Sequence, residues 1–466
     1  MFFLSYLVFC FGSSIHANIK KRCFIVLLHS FFLTFVALFK LGKKMKKNIM
    51  VWMLLLSCVA ATAQVKTLQV TAANSWSEGK QDEPVVVKLP AQKKIGFEVK
   101  GAKVTCGGSE VACQLDDMDG DLRADELFFL ASLGGKETKA YEVTLFASLP
   151  ERNVPARIYT ALQLRDKQDK HPDVLRVEAS GKSDIFNDIY MHGITVESEL
   201  VGYRIYFDQR QNIDLYGKRY RRIELPQTQF YTSAEQLEDG YGVDVLWAGN
   251  AIGCGSLKDW QNGMPTNWSN VAVRGQRIVT SGPLRTVVEV YDLGVKTVDG
   301  ATYDMHQYYS LYAGHRDMQV DVELCSAQDK MLMEKKRFCT GVQRVGATAD
   351  EATRKGHKSQ GFVKKDGLAA SWGCDYPDMG KKQLWAPEPV GLAVYVPKEY
   401  VSDTQEDDLN YLYVLKADKQ QHIRYFVSFC ADKEEQGYHT AKEWFSSLEK
   451  WQDAVNHPVK VKTIGK

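Results

Sequence analysis

Short apolar runs punctuated by turn residues fill most of this chain, a pattern that points to antiparallel strands. Between residues 65 and 150 the runs fall at 85–87, 95–99, 104–106, 127–131 and 141–146. Their spacing of roughly ten residues between turns suits a compact β-sandwich. A connector containing Pro150 and Pro155 leads to a larger part, about 158–466, with runs at 194–207, 271–278, 286–290, 308–312, 318–324, 390–396, 411–415 and 423–429. Helical periodicity is clear only at 440–448, where Trp444, Phe445 and Leu448 share one face. Roughly 300 residues of twisted strand must close or stack, so a large antiparallel sandwich is expected after the small one at 64–150.

The start of the chain reads differently. Met45-Lys46-Lys47-Asn48 is a basic n-region, 49–56 an apolar h-region, and Ala61-Thr62-Ala63 a small-residue cleavage site before Gln64. Residues 45–63 are thus read as a secretory signal peptide and 1–44 as an over-extended start. The apolar run at 24–39 is short for a membrane span, although an N-terminal anchor is the alternative. The segment Leu55-Leu56-Ser57-Cys58 loosely matches a lipoprotein box. A periplasmic or secreted protein is expected, without a membrane-spanning mature domain; an outer-membrane lipoprotein anchored at Cys58 is the variant.

Composition narrows the partners. A net charge of +2 and the lack of a Lys/Arg stripe argue against nucleic acid. The 22 Tyr and 9 Trp suit both sheet filling and stacking on sugar rings. Seven cysteines follow Ala63, an odd number without CxxC spacing, so neither zinc nor a disulfide framework is indicated. Cys106 and Cys113 could bridge a hairpin in an oxidising compartment.

The densest chemistry lies at 192–218. Alternation along a strand puts Tyr203, Ile205 and Phe207 on one face and Arg204, Tyr206, Asp208 and Arg210 on the other. His192, Glu197 and Glu199 precede them and Lys218 follows. Such a row grips a polar, anionic ligand, or else it is a solvated ladder of ion pairs. Further polar segments carry Asp244, Arg285, and Asp304, His306 and Tyr308 on one face; Trp260 and Trp268 are candidate stacking rings. There is no Gly-x-Ser-x-Gly elbow and no His pair at metal-ligand spacing. Histidine, tyrosine, arginine and carboxylates fit proton abstraction beside a carboxylate followed by loss of a leaving group. In that scheme His192 is the base, Arg204 neutralises the substrate carboxylate, and Tyr206 or His306 is the acid. Asp208 and Asp244 orient these groups. Glu197, Glu199, Arg210, Lys218 and Arg285 complete the candidate substrate contacts. A carboxylate-pair glycosidase is the rival chemistry.

No organic cofactor is indicated. Asp117, Asp119, Asp121 and Asp125 alternate as calcium ligands do, yet they miss the EF-hand order, and an Asp-Gly hairpin tip gives the same pattern.

Several blocks, in order, resemble a family of secreted bacterial proteins catalogued as domain of unknown function 4861. They are Asp125-Glu126-Leu127-Phe128-Phe129-Leu130, the run from Glu197 to Asp208, Asp214-Leu215-Tyr216-Gly217-Lys218, Gly242-Val243-Asp244-Val245-Leu246 and Gly282-Pro283-Leu284-Arg285. The resemblance implies a large sandwich similar to those of galactose mutarotases. It also implies an oligosaccharide dehydratase activity that removes water from a terminal uronic sugar. The expected function is therefore β-elimination on a uronic-acid-containing oligosaccharide, by a dehydratase or a lyase. A non-catalytic sugar-binding protein, a glycoside hydrolase and a mutarotase-like isomerase are the alternatives.

Overall fold

The computed structural model describes residues 64–90, 92–148, 154–168, 170–298, 300–326, 334–380, 382 and 385–465. The expected over-extended start at 1–44, the expected signal peptide at 45–63 and Cys58 lie outside the described residues. From Gln64 onward the chain is one compact unit.

The fold is mainly antiparallel β. A small sandwich pairs a five-stranded sheet, in the order Lys460–Gly465, Val65–Ala73, Thr138–Phe146, Gly101–Cys106 and Ser109–Val111, with a three-stranded one. Val70, Val85, Val104, Leu127, Phe129 and Val143 fill its interior, as alternating in-facing residues do. Its edge strand comes from the C terminus, with Thr71 opposite Lys462. The larger part therefore gives up its last strand, and a boundary that assigns everything after 158 to it needs correcting. Sequence spacing cannot reveal such a return, because strand pairing is not confined to chain neighbours. No disulfide joins Cys106 and Cys113; they sit on strands of the two different sheets.

The large sandwich sets a nine-stranded sheet against two five-stranded sheets. The first of these is Val243–Asp244, Ile213–Gly217, Gly202–Tyr206, Ile189–Ser198 and Ile158–Leu164, in spatial order. Ile194, Tyr203, Ile205 and Leu215 point from it into a core shared with Val288, Tyr309, Val320 and Val427 of the nine-stranded sheet. Gln276 crosses that core, accepting from the Ile194 N–H at 2.9 Å and donating to the Ile205 carbonyl at 3.0 Å. Those bonds fix the register directly behind Arg204.

The run at 194–207 is two strands joined by a turn at 199–201, not one. The terminal helix spans Ala441–Asn456, beyond the expected 440–448. Thr440 and Glu443 form its capping box, and Trp444 and Leu448 are buried against the nine-stranded sheet.

Candidate functional site

The five-stranded sheet holding Gly202–Tyr206 turns its polar face away from the core. Register places Arg204 opposite Thr195 on one neighbour and Asp214 on the other, with Tyr216 opposite Asp244. Directly opposed residues share a face, so Arg204, Tyr206, Asp214 and Asp244 gather at one spot. Arg204 Nη2 donates to Asp214, to the Tyr206 hydroxyl at 2.9 Å and to Asp244 Oδ2 at 3.3 Å. The Tyr206 ring lies 4.9 Å from the guanidinium carbon and the Phe230 ring 4.5 Å, so two aromatic rings lie against the cation. Its Nε and Nη1, both buried, have no acceptor among the described residues. Buried guanidinium donors without acceptors are costly and need an explanation.

Burial disfavours charge on Arg204, but Asp214, Tyr206 and Asp244 outweigh it and hold the guanidinium charged. Burial, reinforced by Asp214, keeps the Tyr206 phenol protonated far beyond its ordinary range. Burial and Asp214 also push the Asp244 carboxyl well above the usual carboxylate range. His192 stands at the edge of the cluster, its ring 6.4 Å from that of Tyr206 and stacked on Phe186 at 4.2 Å. Its Nδ1 lies 3.0 Å from the Phe186 carbonyl oxygen. An Nδ1–H donated there leaves a lone pair on Nε2. Burial, with Arg204 nearby, lowers the imidazole pKa and favours that neutral form.

Local backbone strain concentrates here. Met191 and His192 both have φ of 60°, at a bulge where pairing with the neighbouring strand shifts register. Gln229 and Phe230, with φ of 48° and 62°, carry the ring that covers Arg204. Such conformations cost about 1–3 kcal/mol each and gather at functional sites. Gly193 lets the bulged strand close up, since a Cβ there would meet the Ile205 carbonyl oxygen at 1.9 Å.

A family model described as "Domain of unknown function (DUF4861)" matches residues 72–461. The chain belongs to this family. No curated protein matches the sequence. Among solved structures, the DUF4861 chain is similar to a glycosyl hydrolase family 38 protein from Enterococcus faecalis at 8% identity and TM-score 0.42, covering 86% of this chain and 47% of that one. An alpha-mannosidase from Enterococcus faecalis V583 matches at 9% identity and TM-score 0.38, with 86% and 46% covered. A candidate aldose 1-epimerase from Klebsiella pneumoniae subsp. pneumoniae MGH 78578 matches at 7% identity and TM-score 0.28, with 64% and 95% covered. The chain thus spans about half the length of the first two structures.

Of the residues singled out in the DUF4861 sequence, His192, Arg204, Tyr206 and Asp244 come together. The others do not. His306 lies on the outer face of the nine-stranded sheet, 2.7 Å from Glu289, across the sandwich core from Arg204. Asp208 and Arg210 pair with each other at 2.7 Å in a turn after the strand has ended at Tyr206. There Asp208 accepts the Arg210 and Gln211 N–H groups, beside a hollow of about 550 Å³. Glu199 binds Arg157 at 2.5 Å and accepts the Gly314 N–H. Arg285 is buried against Asp116 and Glu126 and ties the two sandwiches together. Trp268 is buried and donates to the Leu257 carbonyl, while Trp260 packs on Ile252, Cys339 and Leu412.

Glu197 and Lys218 are both fully buried and 2.5 Å apart. Glu197 accepts the N–H groups of Glu224 and Leu225, and Lys218 donates to the carbonyls of Ser198 and Arg222. Glu224 in turn accepts the Gly242 N–H at 2.7 Å. Together they clamp the segment 219–242, which carries Phe230, onto the polar face. Their role is to position that cover. Sequence reading missed Phe230 and Asp214 as site residues, and also Trp247, half exposed just beyond Asp244.

At the N-terminal loop, Asp117, Asp119 and Asp125 bring oxygens within 4.8 Å of one another. Asp121 stands apart, accepting the Arg123 N–H and facing the Arg123 side chain. The three clustered carboxylates also accept backbone N–H groups, from Met118, Gly120, Asp121 and Leu122 among others, as a tight Asx-turn loop requires.

Proposed function

We propose that this protein is an exported carbohydrate-active enzyme that performs β-elimination on a uronic-acid-containing oligosaccharide at the Arg204 cluster. The observation that carries this reading is that two donors of Arg204, Nε and Nη1, have no acceptor among the described residues, on a buried guanidinium held against two aromatic rings. Each of these donors can give a charge-assisted bond to an oxygen of an acidic ligand, Nε on one edge of the guanidinium plane and Nη1 on another. The Phe230 ring lies over the guanidinium, so substrate entry requires the 219–242 segment to shift.

Held on Arg204, the uronate carboxylate draws charge from C5 and makes its proton removable. His192 Nε2 takes that proton. The C5–H and C4–O bonds break, the C4=C5 bond forms, and the departing oxygen accepts a proton from Tyr206 or Asp244. Asp244 fits the acid role because its carboxyl is held well above the usual range, and Tyr206 because it already lies on Arg204 Nη2. His306 leaves the scheme. The products are an unsaturated uronate and either water, for a dehydratase, or a saccharide with a free anomeric hydroxyl, for a lyase. Trp247 and Tyr231, which follow Asp244 and Phe230 closely in the chain, are half-exposed rings that offer stacking surfaces.

Incubation with uronate oligosaccharides, followed by mass spectrometry, tests the reading. Loss of one water or cleavage into an unsaturated fragment is the expected result. Unchanged mass with every uronate offered, or cleavage into saturated fragments only with a net gain of water, would refute elimination.

A further inference from the structure

The outer face of the nine-stranded sheet carries a second constellation, on the opposite side of the sandwich from Arg204. Register sets Arg277 opposite Glu289, Glu289 opposite Tyr308, Tyr308 opposite Asp321 and Asp321 opposite Arg424. A single row thus crosses five strands as guanidinium, carboxylate, phenol, carboxylate and guanidinium. A neighbouring row sets Tyr291 opposite His306, His306 opposite Glu323 and Glu323 opposite His422. The rows are knitted together. His306 Nδ1 lies 2.7 Å from Glu289, whose other oxygen accepts from Arg277 Nε. Asp321 accepts from Arg424 Nε at 2.6 Å and lies 2.8 Å from His422 Nε2.

Beside the row opens a cleft of about 840 Å³, walled by Tyr312, Tyr400, Phe426, Trp451 and Arg424. Its volume is that of a small-molecule or oligosaccharide site. Charge decides the ligand class. The two guanidiniums of the row face two carboxylates, the cleft's Lys80 and His315 are matched by Glu83 and Asp317, and its Lys398 is outnumbered by Asp366, Glu399 and Asp453. No positive surplus remains to attract a polyanion. Donors and acceptors alternate instead, and a sugar hydroxyl donates and accepts at once. The Tyr312 and Phe426 rings, both only partly buried, supply apolar surface for pyranose C–H faces.

We propose that this face binds an uncharged stretch of oligosaccharide, as a second sugar site separate from the Arg204 cluster. The ligand class follows from the chemistry of this face and does not depend on elimination at Arg204. A polymer mixing neutral and uronic sugars could occupy both sites, one binding the chain and the other acting on it.

Calorimetric titration of the full chain with neutral cello-, manno- and xylo-hexaoses, and with oligogalacturonate, tests the proposal. A neutral hexaose is expected to bind, and Phe426→Ala and Arg424→Gln should each weaken it at least about tenfold, a loss of about 1.4 kcal/mol. Arg424 is nearly half exposed, and Asp321 keeps His422 as a partner, so its replacement is expected to leave the fold intact. Arg204→Gln is expected to leave this binding unchanged, which separates it from the reading of the Arg204 site. Absence of binding by every neutral hexaose, binding of the acidic oligosaccharide alone, or binding indifferent to both variants would overturn it.

Discussion

The Phe230 ring lies 4.5 Å from the Arg204 guanidinium carbon, closing the face of a cation whose Nε and Nη1 have no acceptor among the described residues. The ring stabilises that cation by roughly 0.5–2 kcal/mol and must be displaced before a carboxylate can dock. Phe230→Ala is therefore expected to lower both thermal stability and the KM for a uronate oligosaccharide, the latter by about threefold, since about 0.6 kcal/mol of displacement cost disappears. Steady-state kinetics on the purified variant check this; a raised KM would show that the ring contributes to binding.

His192 must be neutral to accept a proton. Burial holds its pKa below the ordinary value of 6.5, so kcat/KM should rise with pH on an acid limb below 6.5 and level off above it. His192→Gln should lose that limb and about 10²–10⁴ in kcat, while melting close to the wild-type temperature. A pH profile of initial rates decides the matter. An acid limb that survives in the variant would assign the titration elsewhere.

Glu197 and Lys218 anchor the cover over Arg204. Lys218→Met strands a buried carboxylate, and the expected loss is about 3–5 kcal/mol of unfolding free energy. The double variant Glu197→Leu/Lys218→Met removes both charges and should recover much of it. Urea denaturation of the three proteins measures the coupling. Equal stabilities throughout would mean the pair anchors nothing.

His315 sits between two acceptors, Nε2 at 2.9 Å from the Asp82 carbonyl oxygen and Nδ1 at 3.2 Å from Asp317. Only the imidazolium carries protons on both nitrogens. Burial opposes that charge, and Asp317 outweighs it, so the pKa is pushed up to about 9. A raised histidine pKa contributes stability that is full below the unfolded value of 6.5 and lost as pH climbs through about 9. The contribution is roughly 3 kcal/mol. Unfolding free energies at about pH 6 and about pH 9.5 should differ by that order for the wild type and much less for His315→Gln.

Alternation along a strand made part of this site legible. It correctly separated Arg204 and Tyr206 from Tyr203 and Ile205, because a strand that buries one face in a shared core leaves the other to different chemistry. The same rule misled where the strand stopped. Past Tyr206 the chain turns, so Asp208 and Arg210 left the row. It also names a face without naming a sheet, and His306 obeys the pattern on the opposite side of the sandwich. Glu197 shares the Arg204 face, yet the segment 219–242 buries it, and no local pattern foretells what a long connection will cover. Phe230 was invisible for that reason. Asp214 needed the pairing register, which only the folded hairpins supply.

The most direct test of the Arg204 reading compares wild type and Arg204→Gln on uronate oligosaccharides, following ultraviolet absorbance from the conjugated C=C–COO⁻ product. Wild type should develop the absorbance and the variant should lose at least about a hundredfold in rate, as removal of one buried charge contact to a developing anion does. Equal rates in the two proteins, or no absorbance from wild type with any uronate supplied, would contradict it.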